Sequence, residues 1–174
     1  MSETTETSKS QQFVEFVIKL IDKKNGTAAA AALKRADNPA TEYQSWEYLA
    51  RFIDIDKDYQ RLPYATIASA LAKAKAEHNG SVRIGEALAR CYDDGKDSEQ
   101  AQAKLRRLLA CDSVEEVCRV LRPLFSLINA KAGIQLDYAA LLQDLSWFNA
   151  DNQRIKSRWA QNFYRHYANT EASL

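Results

Sequence analysis

The sequence has no apolar run approaching 18 residues, which excludes a bilayer-spanning helix on length alone. Its start, "MSETTETSKS", is polar and lacks the apolar stretch of a secretory signal. Residues 1–10 therefore read as a flexible tail on a cytoplasmic protein. Glycine and proline are scarce, at five and three residues, which favours helices joined by short turns over a turn-rich sandwich or barrel. Three cysteines, Cys91, Cys111 and Cys118, cannot all pair within the chain and form no C-x-x-C. They read as semi-buried thiols of a reduced protein. The two histidines, His78 and His166, have no second His or Cys at metal-ligand spacing, so both read as surface or helix-end residues. "DIDKDY" begins like a calcium loop at Asp54, Asp56 and Asp58, but Tyr59 stands where the turn needs Gly. Ala65 stands where a bidentate Glu belongs. There is no glycine-rich phosphate loop, no G-x-S-x-G elbow and no paired His-Asp motif. Nothing argues for an enzyme, a metal or a cofactor. Nor is either charge in excess, since the formal net charge is +1. Any affinity for a polyanion must come from how the cations are arranged.

What is present is helix. At 174 residues the chain supports one domain, or two small lobes around a shared core. Apolar periodicity predicts a helix from Gln11 to Lys24, stopped by Asn25-Gly26. Thr27 caps an alanine-rich helix through Ala36. Thr41 and Gln44 match a capping box for a third helix to Phe52. Pro63 suits the first turn of a helix from Tyr64 to His78, closed by Asn79-Gly80. A short helix follows from Ile84 to Tyr92. After the turn "DDGKD", Ser98 opens a helix to Ala110 with Ala101, Leu105 and Leu108 on one face. Ser113 and Glu116 match another capping box, and Pro123 should kink the helix that follows. Asp137 caps a helix from Tyr138 to Phe148, with Leu136 and Leu141 placed as a hydrophobic staple. A final helix carries Asn149 to Tyr167. The pattern places Trp147 and Trp159 inside. The fold class is all-α: about eight short helices in two packed lobes, residues 11–95 and 96–174, with no strand.

The last helix raises the functional question. At about 100° per residue, Arg154, Arg158, Gln161 and Arg165 line one narrow face. Ile155, Trp159 and Phe163 face the opposite way, toward the core. Lys156 flanks the apolar side and can snorkel outward. No Asp or Glu occurs between Asp151 and Glu171. Surface helices commonly intersperse both signs, whereas a single-sign stripe repels itself unless a polyanion neutralises it. Arginine also offers planar, bidentate contact to phosphate. Further cations cluster at Lys34 and Arg35, at Arg61, at Lys104, Arg106 and Arg107, and at Arg119 and Arg122. Acidic residues gather instead in the tail, in "DIDKD" and in "DDGKDSE".

The ordered segments "GTAAAAALKRA", "GSVRIGEALAR", "AKLRRLLACDSVEEVCRVLRPLF" and "LDYAALLQDLSWFNADNQRIKSRWAQNFY" resemble CasB, the small subunit of the type I-E CRISPR surveillance complex, Cascade. The likeness covers nearly all of the chain after Gln12 and is most specific at the C-terminal run. It implies an all-helical, non-catalytic subunit of a prokaryotic antiviral ribonucleoprotein. The implied partners are other Cascade subunits, a second copy of the chain, guide RNA, and the target and displaced DNA strands. By position, the family's basic residues match Lys34 and Arg35 after Leu33, then Arg61, Arg106, Arg107 and Arg122, and then Arg154, Lys156 and Arg158. One departure is Glu86, where relatives often carry Arg; Arg83 and Arg90 flank it. Dispersed cations without a base-reading motif suit sequence-independent holding of phosphate backbone. A helical protein–protein adaptor is the reading from another class, with Tyr164 and Tyr167 as its contact residues.

Overall fold

In a computed structural model, residues 8–22, 24 and 27–171 are described, with side chains through residue 165. Among them lie eight α-helices: α1 (Lys9–Ile21), α2 (Thr27–Lys34), α3 (Trp46–Leu49), α4 (Asp58–Ala74), α5 (Ile84–Arg90), α6 (Glu99–Leu109), α7 (Val114–Asn129) and α8 (Tyr138–Glu171). No strand occurs among the described residues. The one extended contact is an isolated bridge between Val82 and Leu136.

Helix α4 occupies the middle. Every residue from Pro63 to Ala72 is buried, because α1, α2, α7 and α8 pack around it. Its small side chains let neighbouring backbones come close, and Ser69 Oγ donates to the Lys34 carbonyl at 3.0 Å. Residues from Phe13 to Phe163 join one continuous apolar cluster, so both halves of the sequence share a single core. On the α1 side, Phe13 meets Phe52 and Tyr64 edge-on, at 5.1 and 4.7 Å between ring centroids.

Several boundaries differ from the sequence reading, each for a local reason. Ser8 to Ser10 are not tail: Ser8 and Gln11 form a reciprocal capping box, so α1 starts at Lys9. Residues 1–7 and the Asn25-Gly26 stop lie outside the described residues. Thr27 is already helical rather than a cap. Thr41 and Gln44 make no capping box. Thr41 Oγ1 donates to the Arg35 carbonyl, Gln44 accepts from the Arg35 guanidinium, and the segment opens as a 3₁₀ turn, Glu42–Ser45. Helix α4 begins at Asp58, so Pro63 lies inside it and the Tyr59 carbonyl lacks its helical donor. The same helix ends early, at Lys75 in the left-handed region (φ 52°), where Ala76 N–H donates to the Leu71 carbonyl. Helix α7 runs unbroken across Pro123.

Asn79-Gly80 serves a distant element instead of closing α4. Asn79 Oδ1 accepts from the Tyr138 and Ala139 N–H groups at 2.8 and 3.2 Å, while Asp137 Oδ1 accepts from Ala140 N–H at 3.0 Å. Three of the orphan donors that begin α8 are thus satisfied, two of them from 59 and 60 residues away. Gly80 N–H donates to the Leu136 carbonyl at 3.1 Å. A side chain at Gly80 would collide with the Gln135 backbone.

Candidate nucleic-acid interface

Helix α8 is two arms. Asp151 has non-helical backbone angles (φ −147°, ψ 52°), and it separates residues 138–150 from residues 152–171. Polar Asn149, Asp151 and Asn152 are poor helix formers, and Asn149 turns its Oδ1 to the Val114 N–H, capping α7 at 3.1 Å. The elbow brings the arms together: the Phe148 and Trp159 rings stack at 5.8 Å and 18°. Asp144 on the first arm accepts from Trp159 Nε1 at 2.8 Å and from Arg158 Nη2 at 2.9 Å. Trp159 is 1% exposed. Truncating a buried aromatic of this kind costs about 3–5 kcal/mol, whereas a half-exposed ion pair contributes about 0–1 kcal/mol. Stacking and burial, more than the Asp144–Arg158 pair, therefore hold the arms together.

The second arm matches its helical wheel. Ile155, Trp159 and Phe163 are buried, and Arg154, Arg158, Gln161 and Arg165 are exposed. Arg154 and Arg158 border an open groove of about 440 Å³, with Arg83 from the start of α5 and Gln143, Asp144 and Trp147 from the first arm. Sequence reasoning missed two of these residues. Trp147 was placed inside but is 61% exposed. Arg83 was noted only as a flank, and its role depends on the α5–α8 contact, which no local pattern reveals.

Burial raises the Asp144 carboxyl above its ordinary range; the Trp159 N–H, Arg158 and Arg83 pull it back down, and Asp137 opposes them. A carboxyl raised in the folded state contributes most when protonated, and that contribution is lost as pH climbs through its folded pKa. Removing Arg158 strips away a group that favours the charged form. Arg158→Ala is therefore expected to cost about 1 kcal/mol near pH 7 and much less near pH 3, below the ordinary carboxylate range, where a raised carboxyl carries its proton. Urea melts at the two pH values measure the difference. An equal loss at both would mean that Arg158 acts by packing alone.

A second set of cations meets between α6 and α7. Lys104, Arg107 and Arg119 border two adjoining hollows of about 530 and 400 Å³, which share Arg107 and Val120. Ser98 and Ser113 cap the two helices, at 3.2 and 3.3 Å from Ala101 N–H and Glu116 N–H. Glu116 itself reaches back to Asp112 N–H, one residue before the position a capping box requires. Its carboxylate is therefore engaged at the helix start.

The remaining predicted cations are scattered. Lys34, Arg35, Arg106 and Arg165 are exposed, and Arg35 donates to Gln44. Arg122 lies 3.3 Å from Asp37, which also takes Lys73 at 2.7 Å; these contacts latch the end of α2 to α4 and α7. Two of the predicted cations are engaged within the fold. Arg61 has a side chain only 15% exposed, held by Glu42 and Asp58 and by the Ile55 carbonyl at 2.6 Å. Lys156 is 17% exposed, with its ammonium over the Phe148 ring and 3.8 Å from Asp112. Both serve the fold, because sequence spacing does not show which carboxylates surround a cation. The aspartates of the calcium-like loop do likewise, Asp54 pairing with Lys57 and Asp58 with Arg61. All three cysteines are buried, more deeply than expected, and burial pushes the Cys118 thiol up to about 12. His78 is exposed and bonded to Gln135 at 2.7 Å. The side chains of His166 and Tyr167 lie outside the described residues. Among the described residues no group of His, Cys, Asp and Glu is arranged to hold a metal, and no helix is long and apolar enough to cross a membrane.

Comparison with known proteins places this geometry in context. A family model described as CRISPR-associated protein Cse2 matches residues 29–164. A CRISPR-associated protein Cse2 from Thermus thermophilus is 26% identical over 163 residues, covering 90% of each chain. The crystal structure of CasB from M. ruber superposes with a TM-score of 0.77 at 25% identity, over 96% of this chain and 98% of that one. A chain from a structure described as a CRISPR RNA-guided surveillance complex shares the fold, with a TM-score of 0.72 at 23% identity over 95% and 96% of the two chains.

Proposed function

Because the chain belongs to the CRISPR-associated Cse2 family, we propose that it is the non-catalytic small subunit of a type I-E Cascade ribonucleoprotein in antiviral defence. In that role it holds sugar-phosphate backbone without reading sequence, steadying the guide RNA–target DNA region and the displaced strand. Its partners are the other subunits of the complex and a second copy of itself, in the cytoplasm of a prokaryote. The surveillance-complex chain of like fold supports the assembly, and the pairing of charges supports the contact.

One observation carries the reading. Among the described residues, Lys34, Lys104, Arg106, Arg107, Arg119, Arg154 and Arg165 have no carboxylate partner within 4.0 Å, whereas Asp37, Glu42, Glu116, Asp137 and Asp144 are spent on caps and latches. A chain of net charge +1 thereby leaves these seven cations unpaired while those five acids serve the fold. Arginine and lysine without base-reading neighbours position a phosphate chain and leave sequence to base pairing.

The α6–α7 hollows give the cleanest test, since Lys104, Arg107 and Arg119 hold no helix in place. Replacing all three by alanine is expected to weaken single-stranded DNA binding by at least about tenfold and to flatten the salt dependence by about two log units per log unit, with helicity unchanged. Gel shifts across a salt series read both quantities. A wild-type chain that shifts no strand at any salt would instead favour the adaptor reading, for which Tyr164, 49% exposed, is the available contact.

A further inference from the structure

Trp147 has no role in the backbone-holding scheme, yet among the described residues it is the most exposed of the large apolar side chains at 61%. It stands on the first arm of α8 at the edge of the 440 Å³ groove, one turn after Gln143, with Arg154 and Arg158 on the second arm and Arg83 at the start of α5. The acids that share this groove are mostly occupied. Asp137 Oδ1 takes the Asn79 amide at 2.9 Å and the Ala140 N–H at 3.0 Å, and its Oδ2 lies 3.8 Å from Arg83. Both oxygens of Asp144 are engaged, by Trp159 and by a single nitrogen of Arg158. Only Asp151, exposed at the elbow, keeps its carboxylate without a described partner. Arg158 retains outward N–H groups, and Arg154 has no carboxylate partner among the described residues. The groove therefore offers a flat π-face, free guanidinium donors and a free side-chain amide within one open hollow.

That combination selects a ligand that is planar and apolar at one end and anionic at the other. An unpaired nucleotide has this form: the base covers the indole, its phosphate meets Arg154 and Arg158, and Gln143 reaches the base edge. A duplex hides its base faces everywhere except its ends. An acidic peptide would satisfy the arginines, but the indole lies open on the rim and gives an apolar side chain no deep pit to fill. We infer that the groove between the arms of α8 is a stacking subsite for one unpaired nucleotide of a single strand, with Trp147 as its platform. This rests on the proposed backbone-holding role and adds a base contact that is indifferent to base identity.

The test separates the two claims. The full chain is titrated at low salt with oligothymidylate of about 12 nucleotides and with an abasic strand of equal length, while tryptophan emission is read. Of the other two tryptophans, Trp159 is 1% exposed and Trp46 is partly buried and does not line the groove, so the part of the quench that Trp147→Ala removes reports on Trp147. Oligothymidylate is expected to quench the wild type. Trp147→Ala should lose that quench and bind oligothymidylate about tenfold more weakly, Trp147→Phe should recover most of the affinity, and all three proteins should bind the abasic strand alike. Equal oligothymidylate affinity in wild type and Trp147→Ala overturns the subsite and leaves backbone holding intact, as does an equal loss on the abasic strand. If neither strand binds the wild type at any salt, both claims fall. Quenching by an acidic peptide alone would assign Trp147 to a protein partner and overturn the subsite.

Discussion

Replacing Gly85 by alanine is expected to destabilise the protein by about 3 kcal/mol or more. Gly85 is buried in α5, where that helix crosses the second arm of α8. A Cβ at this position would overlap the Trp159 carbonyl oxygen, approach Phe163 N at 2.9 Å and press on Asn162 Cβ at 3.1 Å. The first two obstacles are backbone, so no rotamer change relieves them, and the helices must move apart. Close-packed interiors resist such movement, and separation would also loosen Trp159 and Phe163, both almost fully buried. Urea denaturation of Gly85→Ala against wild type measures the loss. A change within about 0.5 kcal/mol would mean that the α5–α8 contact is looser than this geometry. Because α5 also supplies the flank on which Arg83 sits, the variant should weaken strand binding as well.

Salt should act almost as strongly on function as Gly85→Ala acts on folding. If about five phosphates of a single strand are held, raising salt from about 50 to about 200 mM should weaken binding roughly a hundredfold, since each contact releases about 0.7 of a counterion. Lys34, Lys104, Arg106, Arg107, Arg119, Arg154 and Arg165 are the cations expected to set that number, and Arg61 and Lys156 should contribute nothing to it. Fluorescence anisotropy of a labelled strand across the salt series gives the slope. A flat response would rule out electrostatic holding whatever the absolute affinity. Arg61→Ala offers an internal control. It should lower stability, by freeing Glu42 and Asp58, while leaving the slope unchanged.

What the sequence discloses here follows the range over which each residue acts. Helices α6 and α7 were legible because a serine cap and a strong apolar stripe are both local signals, and Ala101, Leu105, Leu121 and Ile128 are buried as their spacing requires. The arginine face of the last arm was legible for the same reason. Local signals misled where the partner was remote. Pro63 suggested a helix start, but the start lies at Asp58, where the following turns tolerate the missing donor. Asn79-Gly80 looked like a stop, but its amide caps α8 instead. Lys75 ends α4 in a conformation that favours glycine, so no residue type marked it. Trp147 was assigned to the interior on apolarity, although its turn of α8 faces the groove. Asp144 and Arg158, 14 residues apart, meet only because the helix breaks between them, and periodicity carries no trace of that meeting.

The elbow at Asp151 converts distance along the chain into adjacency across a cleft. The number of residues between Asp144 and Arg158 therefore matters as well as the chemistry of those, such as Phe148 and Asn149, that pack or cap there. Inserting one residue would rotate the distal arm by about 100° and carry Arg154 to the buried position of Ile155, and deleting one would carry Ile155 to the exposed position of Arg154. A change of length in this stretch would thus disturb the Asp144–Arg158 pair and the Phe148–Trp159 stack together.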